Sequence, residues 1–408
     1  MWFEKIKSIF ANPKQKKAKA SSNNKKSKII KKPKKKLTKP KIKKGVKKKL
    51  TKLKTKKKPT KIHFIKSESP QVSFRLEKAI SNPIIEPKNY NKWESWQTFN
   101  PAAIYLNGKV HFLYRAIGEG GLSVLGYASS KDGIRIDERL SSPAYVLKKE
   151  FLNTLKNPNC FNYCSGGSVA GCEDPRITEI DGIVYVIYTT FSNWSHLRIT
   201  LTSIKKEDFL NKRWDKWSDP VFISSPNEVH KNWVLFPEKI NSKFALLHSI
   251  SPEIKIDYLD SLKKFDGKTF VKSSYNRSFV KDGWEAYFRG VGPSPIKTSK
   301  GWLVLYHAVD KNDLSKYKLG AMILDYSDPT KILYRAKEPV LEPNLPYENN
   351  GFKSGIVYSC GAVVINETLF VYYGGADTVV CVATANLEEF VKSFTQKLKK
   401  TSLIKKLK

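Results

Sequence analysis

From Phe99 onward, apolar and polar positions alternate in short runs broken by polar pairs, the period of strands rather than helices. Five stretches share one layout: residues 99–133, 173–203, 235–261, 292–329 and 360–386. Each has a short strand, a two-residue polar turn, a strand rich in Val, Leu and Tyr, and a further strand. The turns are Asn107-Gly108, Asp181-Gly182, Asn241-Ser242, Lys300-Gly301 and Asn366-Glu367. Asn-Gly and Asp-Gly pairs between β-rich runs are strong short-range hairpin signals. They recur roughly 60–75 residues apart. Antiparallel units repeating on that scale predict an all-β fold, a five-bladed β-propeller over residues 97–390. Residues 63–96 read as a segment that caps or closes it. Residues 391–408 read as a C-terminal basic helix and tail.

The first 62 residues break this pattern. They hold 27 lysines against a single acid, Glu4, so +26 of the net charge of +37 lies there. Such a segment repels itself and buries too little apolar surface to offset its ordering entropy, so a disordered tail is expected. Within residues 1–10, Trp2, Ile6 and Ile9 share one helical face with Phe10 close by. A short amphipathic helix ahead of a polybasic run suits an anionic membrane surface, and the lysines also suit nonspecific RNA contact. The rest of the chain is only mildly basic, so the total charge does not make the protein a nucleic-acid binder.

No run of about 18 apolar residues exists, so no membrane-spanning helix is expected. Five cysteines, an odd number, read as reduced thiols in a cytoplasmic protein, peripheral at the membrane surface if its tail binds there. Cys160, Cys164 and Cys172 cluster without a CxxC spacing or a nearby histidine pair, so no metal site is expected.

The chemistry-bearing residues fall at matching points of the five units. The first offers Asn100 and Arg115; the second offers Glu173, Asp174 and Arg176. The third offers His230, Lys231 and Glu238, the fourth His307 and Tyr317, and the fifth Tyr373 and Asp377. In a propeller the inner strands converge on a central channel, so these side chains would form one ring. Carboxylates, cations and aromatics together suit a hydroxyl-rich ligand. Trp233, Trp284, Tyr287 and Tyr373 are candidates for stacking on sugar faces.

The chain resembles glycoside hydrolase family 130, the inverting β-mannoside phosphorylases and related mannosidases. The likeness rests on Asn100-Pro101-Ala102 with Arg115, and on Glu173-Asp174-Pro175-Arg176-Ile177-Thr178. It continues through Leu235-Phe236-Pro237-Glu238-Lys239, Gly292-Pro293, the run from 301 to 307, and Leu319-Gly320-Ala321. It ends with Leu324-Asp325, Asp328-Pro329 and Tyr372-Tyr373-Gly374-Gly375-Ala376-Asp377. It covers about residues 90 to 390 and leaves the lysine tail out.

This resemblance implies phosphorolysis of a β-mannoside to mannose 1-phosphate. Asp174 would be the general acid, protonating the departing oxygen directly or through a sugar hydroxyl. Its pKa is expected to be raised by the adjacent Glu173 and a partly closed channel. Inorganic phosphate would be the nucleophile, a co-substrate rather than a cofactor, held by Arg115, Lys231, His307 and Tyr317 with Asn100. Asp377 would hold mannosyl hydroxyls, and Glu173, Arg176 and Tyr373 would complete the sugar subsite. Two departures bear on the phosphate site. Ser249 follows His248 where many phosphorylases have arginine, and Phe288 stands where they have lysine before Gly-x-Gly-Pro. Arg289 or Lys255 would then have to compensate. The alternatives are an inverting β-mannosidase using water, with Glu238, Glu253 or Glu285 as base, and a sugar-binding propeller without catalysis.

Overall fold

The computed structural model describes residues 75–148, 165–191, 197–226, 228–273 and 283–395. The chain divides into two units, residues 1–67 and 68–408, and every described residue lies in the second. The lysine-rich segment 1–62 with its helix over 1–10, Cys160, Cys164 and residues 396–408 lie outside the described residues.

Strands dominate. After β1 (Glu77–Lys78), β2 (Gln97–Leu106), β3 (Lys109–Ile117), β4 (Leu122–Ser130) and β5 (Glu138–Arg139) pair antiparallel in that order. A short parallel pairing of β4 continues this sheet into β6 (Ala170–Ile180), β7 (Ile183–Phe191), β8 (Arg198–Lys205) and β9 (Val221–Phe222). A second sheet holds β10 (Val234–Leu235), β11 (Phe244–Ser249) and β12 (Lys255–Leu259). In the third, β13 (Tyr287–Val291), β15 (Gly301–Val309), β16 (Tyr317–Leu324) and β17 (Ile332–Arg335) lie in order, with β14 (Ile296–Thr298) also on β15. In the last, β18 (Val357–Ile365), β19 (Thr368–Gly375) and β20 (Val379–Asn386) are joined by β1, which pairs antiparallel with β20. Among the described residues the α-helices are short: α1 (Lys206–Leu210), α2 (Pro346–Asn349) and the closing α3 (Leu387–Thr395), which buries Leu387, Phe390 and Val391.

The tight turns follow their residue chemistry. Asn107-Gly108, Asp181-Gly182, Asn241-Ser242 and Asn366-Glu367 all have positive φ at both positions, as a two-residue hairpin of the right twist requires. The fourth unit differs from expectation. Thr298 pairs with Gly301, so its turn is Ser299-Lys300, one residue earlier. The Thr298 hydroxyl braces that turn by accepting the Lys300 amide and donating to the Gly301 carbonyl. Gly301 opens the strand at φ 139°, where an added Cβ would meet the Leu324 carbonyl.

The middle strands are buried on both faces. GWLVLYHAV of β15 is buried throughout, which is why it reads as one apolar run rather than as an alternation. Five apolar clusters separate successive strand units. Leu113, Tyr127, Val186 and Tyr188 lie between the first two, and Ile187, Leu201, Trp233 and Leu246 between the second and third. Val234, Leu247, Val304 and Met322 follow, then Leu303, Ala321, Val371 and Ala383. The fifth cluster joins the last unit to the first through Phe112, Tyr114, Tyr372 and Val382.

That last junction is tight. A Cβ on Gly361 of β18 would lie 2.5 Å from the Ala103 amide nitrogen and 2.6 Å from the Pro101 carbonyl of β2. Both neighbours are backbone and cannot rotate away. Gly361→Ala is expected to cost about 1–3 kcal/mol by overpacking, read as a lowered Tm in thermal denaturation. A Tm equal to that of the parent would contradict this close approach. N-terminal chain is latched at the same end of the sequence circuit: Lys78 Nζ lies 2.6 Å from Oε2 of the buried Glu348.

Candidate active site

Four strands that begin a unit carry an extra residue at corresponding places. The register slips between Phe99 and Ala102 in β2, Glu173 and Arg176 in β6, Phe288 and Gly290 in β13, and Ser359 and Gly361 in β18. Such bulges bend a strand and re-aim its side chains. In β2 and β6 the bulge contains a residue before proline in the left-handed region, Asn100 at φ 47° and Asp174 at φ 50°. Proline has no N–H to lose from the ladder, which favours the bulge there.

These bulges bring the first two units together. Asn100 Nδ2 donates to Asp174 Oδ1 at 2.8 Å, and Arg115 Nη1 reaches the same oxygen at 3.2 Å. Arg115 also donates through Nη2 to Glu173 Oε1 at 3.0 Å, to the Ser165 carbonyl and to Ser168 Oγ, and through Nε to Ser123 Oγ. Glu173 is fully buried and further accepts Ser165 Oγ at 2.9 Å and Lys231 Nζ at 3.2 Å. Asp174 Oδ2 has no hydrogen-bond partner among the described residues, so it is the oxygen left to hold a proton.

Arg176 braces this arrangement from behind. Its donors go to the carbonyls of Asp174 at 2.7 Å, Gly292 and Val291, and to Asn232 Oδ1 at 2.9 Å. It therefore fixes the backbone that carries Asp174 rather than reaching into open space. Asn232 also accepts the Tyr358 hydroxyl and donates to the Arg289 carbonyl, which joins the third, fourth and fifth units at one point. The Tyr358 ring stacks on His307 at 3.9 Å between centroids.

The electrostatics correct two expectations. Burial pushes the Asp174 carboxyl up, but the charges of Arg115, Lys231 and Arg176 and the Asn100 amide outweigh it, holding Asp174 below the usual carboxylate range. Glu173, itself paired with Arg115 and Lys231, is not among the leading influences on it. His307 brings no charge to a cradle. Burial and the nearby Arg176 push it down to about 3, and its Nε2 accepts the Ser359 amide, leaving the ring proton on Nδ1. That Nδ1 is buried near the Gly290 backbone, without a well-formed hydrogen bond among the described residues.

Asp377 is the carboxyl displaced upward, to about 6, by burial, with the Asp174 charge adding to it and Lys353, Arg115 and Lys231 opposing. It sits at φ 49° in the turn between β19 and β20. Two carboxylates with opposed pKa shifts in one charge network are the pattern expected of an acid–base site.

Other expected residues lie elsewhere. Tyr373 is fully buried and donates to Glu348, and Trp233 is buried in an apolar cluster, so neither has a ring face for a sugar. Trp284 donates to the Lys337 carbonyl while stacking on Tyr306. His230 pairs with Glu228 at 2.8 Å and is lowered chiefly by burial. Glu238 pairs with Lys297, Glu253 with Lys255, and Glu285 accepts the Tyr306 hydroxyl. Phe288 is packed in a core cluster, and Ser249 bonds to carbonyls of its own loop. Cys172 is buried, and among the described residues no His, Cys, Asp and Glu group has the arrangement of a metal site.

Ser165 and Ser168 were not singled out from the sequence, although they hold both Arg115 and Glu173. Their signal is the Ser165-Gly166-Gly167-Ser168 run just before the acidic pair. A Cβ on Gly167 would meet Gln97 Oε1 at 2.2 Å, so this loop must lie flat against the site.

The family model for β-1,4-mannooligosaccharide phosphorylase, glycoside hydrolase family 130, matches residues 60–396. A 1,2-β-oligomannan phosphorylase of Thermoanaerobacter sp. strain X514 is 40% identical over 325 residues, 77% of this chain and 98% of the relative. A β-1,2-mannobiose phosphorylase of the same organism is 34% identical over 333 residues, covering 78% of this chain and 99% of that protein. Among solved structures, a glycosyl hydrolase of Bacteroides ovatus superposes with a TM-score of 0.62 at 25% identity, over 79% of this chain and 96% of its own. The sequence motifs, the site they build and a match of this extent together place the chain in glycoside hydrolase family 130.

Proposed function

We propose that this chain is an inverting phosphorylase that cleaves β-1,2-linked oligomannosides with inorganic phosphate, releasing α-mannose 1-phosphate. The observation that carries the reading is the near full-length match, at 40% identity, to a 1,2-β-oligomannan phosphorylase. Phosphate oxygen attacks the anomeric carbon as the glycosidic bond breaks. The Asp174 proton goes to the departing sugar oxygen, directly or through a sugar hydroxyl. The phosphate proton then restores Asp174, so the cycle closes without a base. Attack from the face opposite the leaving group inverts the configuration.

Asn100, Arg115, Lys231, His307 and Tyr317 form the phosphate side and Asp377 the sugar side, while Glu173 and Arg176 hold Arg115, Lys231 and the Asp174 backbone in place. Phosphate also solves the problem of the lowered acid. Its negative charge offsets the cations that keep Asp174 ionised, so the carboxyl takes up its proton in the ternary complex. The carboxylates weighed as hydrolytic bases are held by Lys297, Lys255 and Tyr306, which favours phosphate over water as nucleophile.

The five strand units read as blades of one five-bladed propeller over residues 97–390, with the preceding segment as its cap. Cyclic order of the apolar clusters and the pairing of β1 with β20 support this. For the activity, β-1,2-mannobiose turnover is expected to require phosphate and to yield sugar phosphate and mannose in equal amounts. Equal turnover in phosphate-free buffer would identify a hydrolase instead.

A further inference from the structure

The cations around Asp174 are largely engaged by protein. Arg115 uses at least four of its five N–H groups on Ser123, Asp174, Glu173, Ser165 and Ser168. Arg176 uses four on backbone carbonyls and Asn232. Lys231 bonds Glu173 and Ser165. A second pair of cations differs. The Arg289 guanidinium lies 5.5 Å from the Tyr317 ring centre, and Lys353 Nζ lies 4.6 Å from the same centre. Neither forms an ion pair with a carboxylate among the described residues, and Arg289 Nε is buried without a hydrogen-bond partner. Two cations thus approach one ring without an ion pair among the described residues, Lys353 acting on the Asp377 carboxyl only through its charge.

This pair adjoins the reacting centre. Tyr317 lies 6.3 Å from the Tyr358 ring, which stacks on His307 and faces Arg176 at 5.9 Å. The Lys353 amide donates to the Ala376 carbonyl, beside Asp377, and its charge acts on the Asp377 carboxyl. The bulge in β13 explains how Arg289 arrives there. It buries Phe288 in the core and leaves Arg289, Nε inward, against Tyr317.

We propose that Arg289 and Lys353, gathered on Tyr317, are phosphate-binding residues that replace the cations missing at Phe288 and Ser249. The proposal rests on the phosphorolytic reading above and assigns its anion to a named pair. Phosphate bridges the guanidinium and the ammonium, the Arg289 Nε–H gains an acceptor, and the Tyr317 hydroxyl faces the same oxygens.

Arg289→Gln and Lys353→Gln separate this from a structural role. Each is expected to raise KM for phosphate by about 10-fold or more, with KM for mannobiose changed by less than about 3-fold. Arg289→Lys and Lys353→Arg should recover much of the loss, whereas Lys297→Gln, on an exposed ion pair, should behave as the parent. Calorimetric titration of the full chain with inorganic phosphate reads the site without turnover. Binding is expected in the parent, weakened by the same factor in the two glutamine variants. Phosphate affinity unchanged by both substitutions, or no phosphate binding by the parent, overturns the proposal. Phosphate binding that depends on both residues without phosphate-dependent turnover would sink the phosphorolytic reading and leave the anion site standing. Thermal denaturation of each variant identifies a loss caused by misfolding, and the charge-conserving variants then decide the case.

Discussion

Asp174→Asn is expected to lower kcat on β-1,2-mannobiose by about 10³-fold while the fold persists. The amide retains an oxygen for Asn100 Nδ2 and Arg115 Nη1, so the contacts at Oδ1 survive. Arg115 and Lys231 still face Glu173, which limits the charge imbalance left behind. What disappears is the transferable proton. Aryl β-mannosides whose leaving groups depart without protonation should therefore lose far less rate than mannobiose. Equal losses on both substrates would mean that Asp174 binds sugar rather than protonating it. An unchanged kcat on mannobiose would remove its assignment as the acid.

Asp377 gives the second large effect, and there function and stability pull in opposite directions. Its folded pKa, about 6, lies above the ordinary 3.8, so the native state holds the proton more tightly than the unfolded chain. For a carboxyl shifted upward, stability falls as pH rises from about 4 through 6 and stays lower above that window. Burying the ionised group costs about 3 kcal/mol at pH 8, from the size of that shift. Asp377→Asn is thus expected to raise Tm at pH 8 and to leave it near the parent value at pH 4. The same change removes an ionised acceptor for sugar hydroxyls, lowering kcat/KM by about 10–100-fold. In the parent, kcat/KM should fall on the acid side through about 6 as Asp377 protonates, and the variant should lose that limb. A variant less stable than the parent at pH 8 would contradict the burial argument.

Much of the architecture was legible because turns and strands leave local signatures. Asn-Gly and Asp-Gly placed hairpins correctly, since the left-handed turn needs those residues. The Ser299-Lys300 turn was misplaced by one residue because a Gly301 that opens a strand looks like a turn glycine. Asp174, Arg115, Glu173 and Lys231 were legible as a set, and the structure joins them by direct contacts. Tyr373 was misjudged because an aromatic pointing into a buried glutamate and one facing a channel look alike in sequence. Bulges were the main hidden variable. One extra residue in β6 or β13 decides which side chain faces the site, and Phe288 beside Arg289 cannot be oriented without it. The shift of Asp174 depends on how three cations from separate strands sum, which no local motif encodes.

Proton NMR of β-1,2-mannobiose incubated with the protein and phosphate tests the central claim most directly. The account predicts α-mannose 1-phosphate and mannose as first products in equal amounts, and no reaction when phosphate is withheld. Free mannose as the sole product, formed at the same rate without phosphate, would contradict it.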